Sequence, residues 1–281
     1  MTRAVVNKII PFSSVDGPGN RTAVFLQGCN FTCQYCHNPE TIHLCINCGE
    51  CVKHCKTQAL KIVEGKVIYD SSLCVQCDEC IRHCKNLASP KTELLGADET
   101  MERIRKNMPY IRGITISGGE CTRQTEYLKE LLCLAKKAGL HTLLDSNGSY
   151  PFYEDEELLE LCDGVMLDIK ESDEALHREL TGCTNETVLK NLIFLAEKRK
   201  LTEVRTVVLA ERFQAEATVR YVAECLQPYL KEQNIRYKII KYRPMGVRAP
   251  YRDTLKVPED VMLEKLGRLA KEAGFKDIII I

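Results

Sequence analysis

The chain has 281 residues, and its 39 lysine and arginine residues balance 39 aspartate and glutamate residues, so its formal net charge is zero. The absence of a basic excess argues against a nucleic-acid partner, and the absence of a long apolar run argues against a membrane-spanning or membrane-bound protein. Disulfide scaffolds are small secreted domains, so sixteen cysteines in a chain of this length, without a signal-peptide-like start, predict a cytoplasmic protein whose reduced thiols bind metal.

The first chemical motif follows a predicted strand. Arg21–Gln27 is a short apolar run behind a turn-rich segment, and we expect it to form a buried strand. Cys29, Cys33 and Cys36 come next, with the spacing C-x3-C-x2-C. Three thiolates can hold three corners of a 4Fe-4S cluster and leave one iron open to a further ligand. A zinc knuckle or unrelated thiols are the alternative interpretation of this spacing.

An internal repeat lies between residues 44 and 88. Residues 45–55 and 74–84 both have the pattern C-x2-C-x2-C-x3-C, which is typical of bacterial two-cluster ferredoxins, where the fourth cysteine of each run binds the other cluster. Two equal runs of four favour iron–sulfur clusters over zinc. The predicted ligand sets are Cys45, Cys48, Cys51 and Cys84 for one 4Fe-4S cluster, and Cys74, Cys77, Cys80 and Cys55 for the other.

The two runs are separated by an apolar segment that we expect to form a hairpin turning at Glu64-Gly65. So small a unit needs its clusters as cross-links. We therefore predict three segments: 1–43 with the first cysteine loop, an inserted ferredoxin-like domain at 44–88, and the remainder at 89–281.

After Pro90 the sequence alternates between strand and helix patterns. Repeated strand–helix units predict a parallel sheet, and polar residues at several strand ends suit a barrel whose site lies at the carboxyl ends of its strands. The predicted strands are 113–117, 141–145, 164–170, 203–209, 235–241 and the isoleucine-rich end. The predicted helices are 98–107, 123–138, 154–161, 173–180, 185–200, 215–230 and 258–273.

Several motifs occur in the order of a known family. They are V-D-G-P-G-N-R (15–21), Y-C-H-N (35–38), S-G-G-E (117–120), D-S-N-G (145–148), M-L-D-I-K (166–170) and V-R-T-V-V (204–208). With the first cysteine loop, they resemble the radical S-adenosylmethionine (SAM) superfamily and, within it, the glycyl-radical-enzyme activating enzymes, most closely the YjjW type. The resemblance implies an α/β fold: a partial (β/α)6 TIM-like barrel of the radical SAM type with an inserted bacterial ferredoxin-like domain of two 4Fe-4S clusters.

The resemblance also implies how the site is used. SAM would bind the open iron of the first cluster, with a monovalent cation near Asp145, Met166 and Asp168. Arg243 stands where the best-known activating enzymes have a histidine, and Asp16 matches a residue near the partner's glycine loop. The residues implied to contact SAM are Tyr35, Cys36, His37, Gly118, Gly119, Glu120, Asp145, Met166, Asp168, Ile169, Lys170, Arg205 and Arg243.

The implied reaction is reductive cleavage of SAM to methionine and a 5'-deoxyadenosyl radical, which takes a hydrogen atom from a backbone glycine of a glycyl radical enzyme. The two ferredoxin-type clusters would relay electrons from a flavodoxin or ferredoxin reductant, and we expect the chain to act as a monomer. One alternative is a radical SAM enzyme acting on a small molecule or another peptide. The other is an iron–sulfur electron carrier that does not use SAM.

Overall fold

A computed structural model describes residues 2–281 and has an α/β fold. The chain forms two compact units, one made of the residues up to Asn30 together with Asn38–Ala138, and the other of Phe31–His37 together with Gly139–Ile281. The predicted insert at 44–88 therefore lies wholly within the first unit. Residues 89–281, predicted as one segment, contribute to both units.

The described strands and helices agree closely with the predicted alternation after residue 90. The strands are β1 (Arg3–Ser13), β2 (Arg21–Leu26), β3 (Leu60–Val63), β4 (Lys66–Tyr69), β5 (Glu93–Gly96), β6 (Gly113–Gly118), β7 (His141–Ser146), β8 (Gly164–Asp168), β9 (Leu201–Val208), β10 (Arg236–Lys241) and β11 (Asp277–Ile280). The helices are α1 (Glu50–Lys53), α2 (Glu79–Arg82), α3 (Ala97–Arg105), α4 (Thr125–Lys137), α5 (Glu156–Leu161), α6 (Glu174–Thr181), α7 (Glu186–Glu197), α8 (Ala215–Leu226), α9 (Ala249–Arg252) and α10 (Asp260–Glu272).

The sheet of the first unit has the order β5-β1-β2-β6. Strands β2 and β6 are parallel, as expected, but β1 pairs antiparallel with both β2 and β5. The sequence analysis did not predict β1 or β5. Strand β1 contains Pro11 and its pairing with β2 is irregular after Val6 and after Ile10, so its pattern lacks the regular alternation by which a strand is recognised.

The insert contains the predicted hairpin. Strands β3 and β4 pair antiparallel, and the turn between them has positive φ at Glu64 (49°) and Gly65 (75°), as a two-residue hairpin turn requires. A small buried cluster of Cys51, Leu60 and Cys80 packs beside this hairpin. Because one thiol of the cluster comes from each cysteine run, both runs are held against the same hairpin.

The second unit contains a parallel sheet. Strands β7 to β11 lie in chain order, and each described pairing among β7–β8, β8–β9, β9–β10 and β10–β11 is parallel. Helix α6 illustrates how the connections are fixed: Asp173 caps its start by accepting from the Leu176 N–H, and Gly182 ends it at φ 83°. Among the described residues, no helix is long and apolar enough to cross a membrane.

Candidate active site

The first cysteine loop is shared between the two units. Cys29 belongs to the first unit, where its N–H donates to the Ile42 carbonyl at 2.8 Å, directly after Gly28 donates to Thr41 at 2.9 Å. Cys33 and Cys36 belong to the second unit, where the Cys36 N–H donates to the Cys33 carbonyl at 3.2 Å. Backbone hydrogen bonds therefore fix the loop at both ends.

Arg248 also holds the cysteine loop within the second unit. Its Nη2 donates to the carbonyls of Thr32 at 2.7 Å and Cys33 at 3.0 Å. The sequence analysis did not identify Arg248, because an arginine that binds a distant backbone carries no local motif. Gln34, a second such residue, donates from Nε2 to the Glu179 carbonyl at 2.7 Å.

Lys170 lies beside the cysteine loop. Its Nζ is 2.9 Å from Asp168 Oδ2 and 5.6 Å from the centre of the Tyr35 ring, and its side chain is 11% exposed. Burial raises the pKa of the Cys33 thiol to about 11, although Lys170 partly offsets that effect. Burial lowers the pKa of Lys170, but Asp168, Tyr35 and Cys33 raise it by more. The structure thus brings together the predicted residues Cys33, Tyr35, Asp168 and Lys170 around one buried cation.

Arg205 is the second buried cation of this unit. It donates to Asp145 Oδ1 at 2.8 Å and to Glu203, and its Nη2 is 3.0 Å from Met166 Sδ. Burial lowers the pKa of Arg205, but Asp145 and Glu203 raise it by more, so the guanidinium stays charged. Ile169, fully buried, donates its N–H to the Arg205 carbonyl at 2.8 Å. Neighbouring parallel strands therefore bring Asp145, Met166 and Arg205 together.

Glu203 was missed by the sequence analysis. It lies two residues before Arg205 on β9, is 1% exposed, and also approaches Arg236 at 3.5 Å. A carboxylate so deeply buried is stable only when it is paired. The signal in the sequence was an acidic residue in an otherwise apolar strand, E-V-R-T-V-V.

The Gly118-Gly119-Glu120 segment packs against the end of β2. A Cβ on Gly118 would lie 2.1 Å from the Leu26 carbonyl oxygen, and one on Gly119 would lie 2.4 Å from the Gly28 carbonyl oxygen. Glu120 is 1% exposed and accepts from Thr122 Oγ1 at 2.7 Å. Glycine is therefore required at both positions by close backbone approach alone, which is a different reason from the predicted approach of SAM.

His37 and Arg243 are neighbours. His37 Nε2 donates to the Arg243 carbonyl oxygen at 2.8 Å, and the His37 ring stacks on Tyr242 with 6.3 Å between centroids. The Arg243 side chain is exposed. Gly246 has φ 83°, and a Cβ there would lie 2.4 Å from the His37 carbonyl oxygen. The loop after β10 thus contacts the end of the cysteine motif through its backbone.

Asp16 lies in the first unit, at the turn before β2. Its carboxylate accepts from Ser13 Oγ at 2.5 Å, and its carbonyl accepts from Thr115 Oγ1 at 2.5 Å. These contacts fix the turn in place.

Two cavities in the insert are bordered by cysteines. Four thiols around one space match the ligand number of a 4Fe-4S cluster, and each set draws its fourth cysteine from the other run. The first cavity is bordered by Cys45, Cys48, Cys51 and Cys84. The second cavity is bordered by Cys74, Cys77, Cys80 and Cys55.

Comparison with known proteins identifies the family of the chain. Residues 15–189 match the family model of the 4Fe-4S single cluster domain. The chain is 34% identical to the (2S)-3-sulfopropanediol sulfolyase activating enzyme of Bilophila wadsworthia, over 86% of each chain. It is 31% identical to the choline trimethylamine-lyase activating enzyme of Oleidesulfovibrio alaskensis, over 87% of this chain and 85% of that one.

A solved structure shares the fold. A radical SAM methyltransferase from Sphaerobacter thermophilus superposes with a TM-score of 0.56 at 11% identity, covering 93% of this chain and 66% of that one. The matched 4Fe-4S family model and the activating enzymes among the relatives define an iron–sulfur enzyme of the radical SAM class. The relatives define a narrower family within this class. The chain belongs to the glycyl-radical-enzyme activating enzymes.

Membership of this family confirms the predicted activity. The protein uses a 4Fe-4S cluster and SAM to generate a radical on a glycine of a glycyl radical enzyme. The predicted alternative of an electron carrier that does not use SAM is thereby set aside, and so is that of a radical SAM enzyme acting on a small molecule or another peptide.

Proposed function

We propose that this activating enzyme holds three 4Fe-4S clusters: one on Cys29, Cys33 and Cys36 with an iron open to SAM, and two in the insert. The observation that carries the proposal is the pair of insert cavities, each bordered by four thiols drawn from both runs. A fully ligated cluster has no open iron. The insert clusters therefore pass electrons to the first cluster, from a flavodoxin or ferredoxin reductant.

SAM is held in the second unit by its buried cations. Lys170 and Arg205 are about one-tenth exposed, and charge-assisted hydrogen bonds from such groups suit the SAM carboxylate. Tyr35 and Ile169, both buried, supply apolar surface that excludes water. Asp145, Met166 and Asp168 are proposed to hold a monovalent cation as well, as the resemblance to the activating enzymes implies.

The remaining proposed contacts lie at the ends of the cysteine motif and of β6. Cys36 and His37 adjoin the open iron in sequence, and Gly118, Gly119 and Glu120 would meet the amino end of SAM. Arg243 is proposed to contribute through its carbonyl, which holds His37. Asp16 is proposed to meet the glycine loop of the partner, because its fixed turn lies just before β2.

When bound, the first cluster and SAM supply the one-electron cleavage that yields methionine and a 5'-deoxyadenosyl radical. Hydrogen transfer from the partner's glycine then gives 5'-deoxyadenosine and the glycyl radical. This chemistry needs no side chain of the protein to act as an acid or base. Its residues bind and orient SAM and exclude water.

Iron content and radical yield test the proposal. Anaerobically prepared protein should contain about twelve iron atoms per chain, four for each cluster, and should form a glycyl radical signal on a peptide bearing the partner's glycine loop when SAM and dithionite are added. The Cys29→Ala, Cys33→Ala, Cys36→Ala variant should lose one cluster's iron and the radical together. Unchanged iron in that variant would rule out the first cluster.

A further inference from the structure

Lys91 borders the second cysteine cavity of the insert. It lies beside Cys74, Cys77, Cys80 and Cys55, and its side chain is only 12% exposed. Lys91 also borders an open cleft of about 590 Å³, whose lining includes residues of strand β1 and of the insert. Lys91 therefore lies at both the cavity and the cleft.

The loop of the second cysteine run fixes Lys91 in place. Lys91 Nζ donates to Asp78 Oδ1 at 2.6 Å and to Gln76 Oε1 at 3.1 Å. Both partners stand between the cysteines at positive φ, 60° for Asp78 and 55° for Gln76. Asp78 is 52% exposed and borders the cleft but not the cavity. The cation thus borders the thiols directly, whereas its counter-charge does not border their cavity.

The first cysteine run has no equivalent of this arrangement. The residues that repeat Gln76 and Asp78 are Asn47 and Gly49; Asn47 accepts from the Val67 N–H at 3.0 Å, and Gly49 has no side chain. The lining of the first cavity includes Glu50 but no lysine or arginine, whereas the second includes Glu79, His54 and Lys91. The two runs repeat in sequence, yet only one has a lysine at its cavity.

We propose that Lys91 raises the reduction potential of the cluster on Cys55, Cys74, Cys77 and Cys80 above that of the other insert cluster. Reduction adds negative charge to a cluster, and a nearby cation stabilises that charge most where solvent is excluded. The two insert clusters therefore differ in potential, and the second is reduced first. This inference rests on the proposed assignment of two clusters to the insert.

A potentiometric titration followed by electron paramagnetic resonance tests the inference. The full chain with Cys29, Cys33 and Cys36 changed to alanine isolates the insert clusters, which should reduce in two separate steps. Lys91→Gln in this background should lower the reduction potential of the step that occurs at the higher potential and leave that of the other step unchanged. The difference between the two potentials should therefore become smaller. Lys91→Arg should preserve the difference between the two potentials, because the positive charge is kept. Asp78→Asn removes the opposing negative charge and should raise the higher of the two reduction potentials.

Lys56→Gln is the matched control, because Lys56 follows the ligand Cys55 but is exposed; it should leave both steps unchanged. The inference would be overturned if Lys91→Gln and Lys56→Gln changed the reduction potentials equally. It would also be overturned if Lys91→Gln changed the lower potential alone. If Lys91→Gln loses the cluster, the opposite sign expected for Asp78→Asn still decides the matter. Fewer than eight iron atoms in the unmutated insert background would instead contradict the assignment of clusters.

Discussion

Arg205 on β9 donates from Nη1 to Asp145 on β7 at 2.8 Å, so the two residues are joined across β8 within the second unit. The same guanidinium donates from Nε to Glu203, which is buried. Two carboxylates thus fix the direction of one cation, and its third nitrogen, Nη2, lies 3.0 Å from Met166 Sδ. A guanidinium held in this way needs no rearrangement when an anionic ligand arrives.

Glu203→Gln should weaken this fixation. The amide oxygen can still accept from Arg205, but the charge is lost, and we expect a loss of ~1–3 kcal/mol in the free energy of unfolding, the scale of a hydrogen bond between charged groups. Chemical denaturation measures this loss. SAM affinity should fall as well, because Arg205 then has one charged partner, Asp145, instead of two.

Glu232→Gln is the control for that experiment. Glu232 also pairs with an arginine, Arg199 at 2.6 Å, but the side chains of both are more than half exposed. Exposed ion pairs contribute little, so unfolding and SAM binding should stay unchanged. If both variants behaved alike, Glu203 would have no positioning role.

Lys170→Ala should weaken SAM binding by ~1–3 kcal/mol, because the proposed contact is a hydrogen bond to a carboxylate. Calorimetric titration of cluster-loaded protein with SAM measures the effect. Lys170→Arg keeps the charge beside Asp168 and should retain most of the affinity. An unchanged dissociation constant in Lys170→Ala, with iron content intact, would reject the contact.

Arg243→Ala separates the side chain of this residue from its backbone. The side chain is exposed, whereas the carbonyl accepts from His37 at 2.8 Å. We therefore expect Arg243→Ala to reduce SAM affinity less than Lys170→Ala does, and His37→Ala to reduce it more than Arg243→Ala. The same calorimetric titration ranks the three variants. A loss in Arg243→Ala as large as that in Lys170→Ala would show that the arginine side chain itself binds SAM.

The sequence predicted the strands that carry the site because their ends bear short motifs. Asp145, Met166 and Arg205 lie on neighbouring parallel strands. The strand–helix alternation predicted those strands, and the resemblance to the activating enzymes implied that the three residues share a site. The hairpin at Glu64-Gly65 could also be predicted, because the residues that favour such a turn are adjacent in the sequence.

The residues that were missed act over long distances in the sequence. Arg248 binds the carbonyl of Cys33, 215 residues away, and strand β1 pairs irregularly with β2 and contains a proline. Neither feature leaves a periodic pattern or a spacing in the sequence. The sequence also could not show why residue 118 must be glycine, because the oxygen atom that leaves no room for a Cβ belongs to Leu26, which is distant in the sequence.

Removing the insert clusters should separate electron delivery from SAM binding. Cys48 and Cys77 are exposed cysteines on different cavities, so changing both to alanine should damage both insert clusters and leave about four iron atoms per chain. Lys170 and Arg205, which are proposed to hold SAM, lie in the second unit and outside the insert. SAM affinity should therefore stay near that of the unmodified protein.

Electron supply should then depend on the reductant. With a flavodoxin or ferredoxin, formation of 5'-deoxyadenosine should collapse, because the proposed relay is missing. With dithionite, a small reductant that reaches the first cluster directly, a single turnover should survive. The Cys133→Ala, Cys225→Ala variant is a matched control, since it removes two partly buried thiols outside the predicted ligand sets. If SAM binding disappears in the insert variant while iron of the first cluster persists, the insert contributes to the SAM site itself, and the proposed separation of roles is wrong.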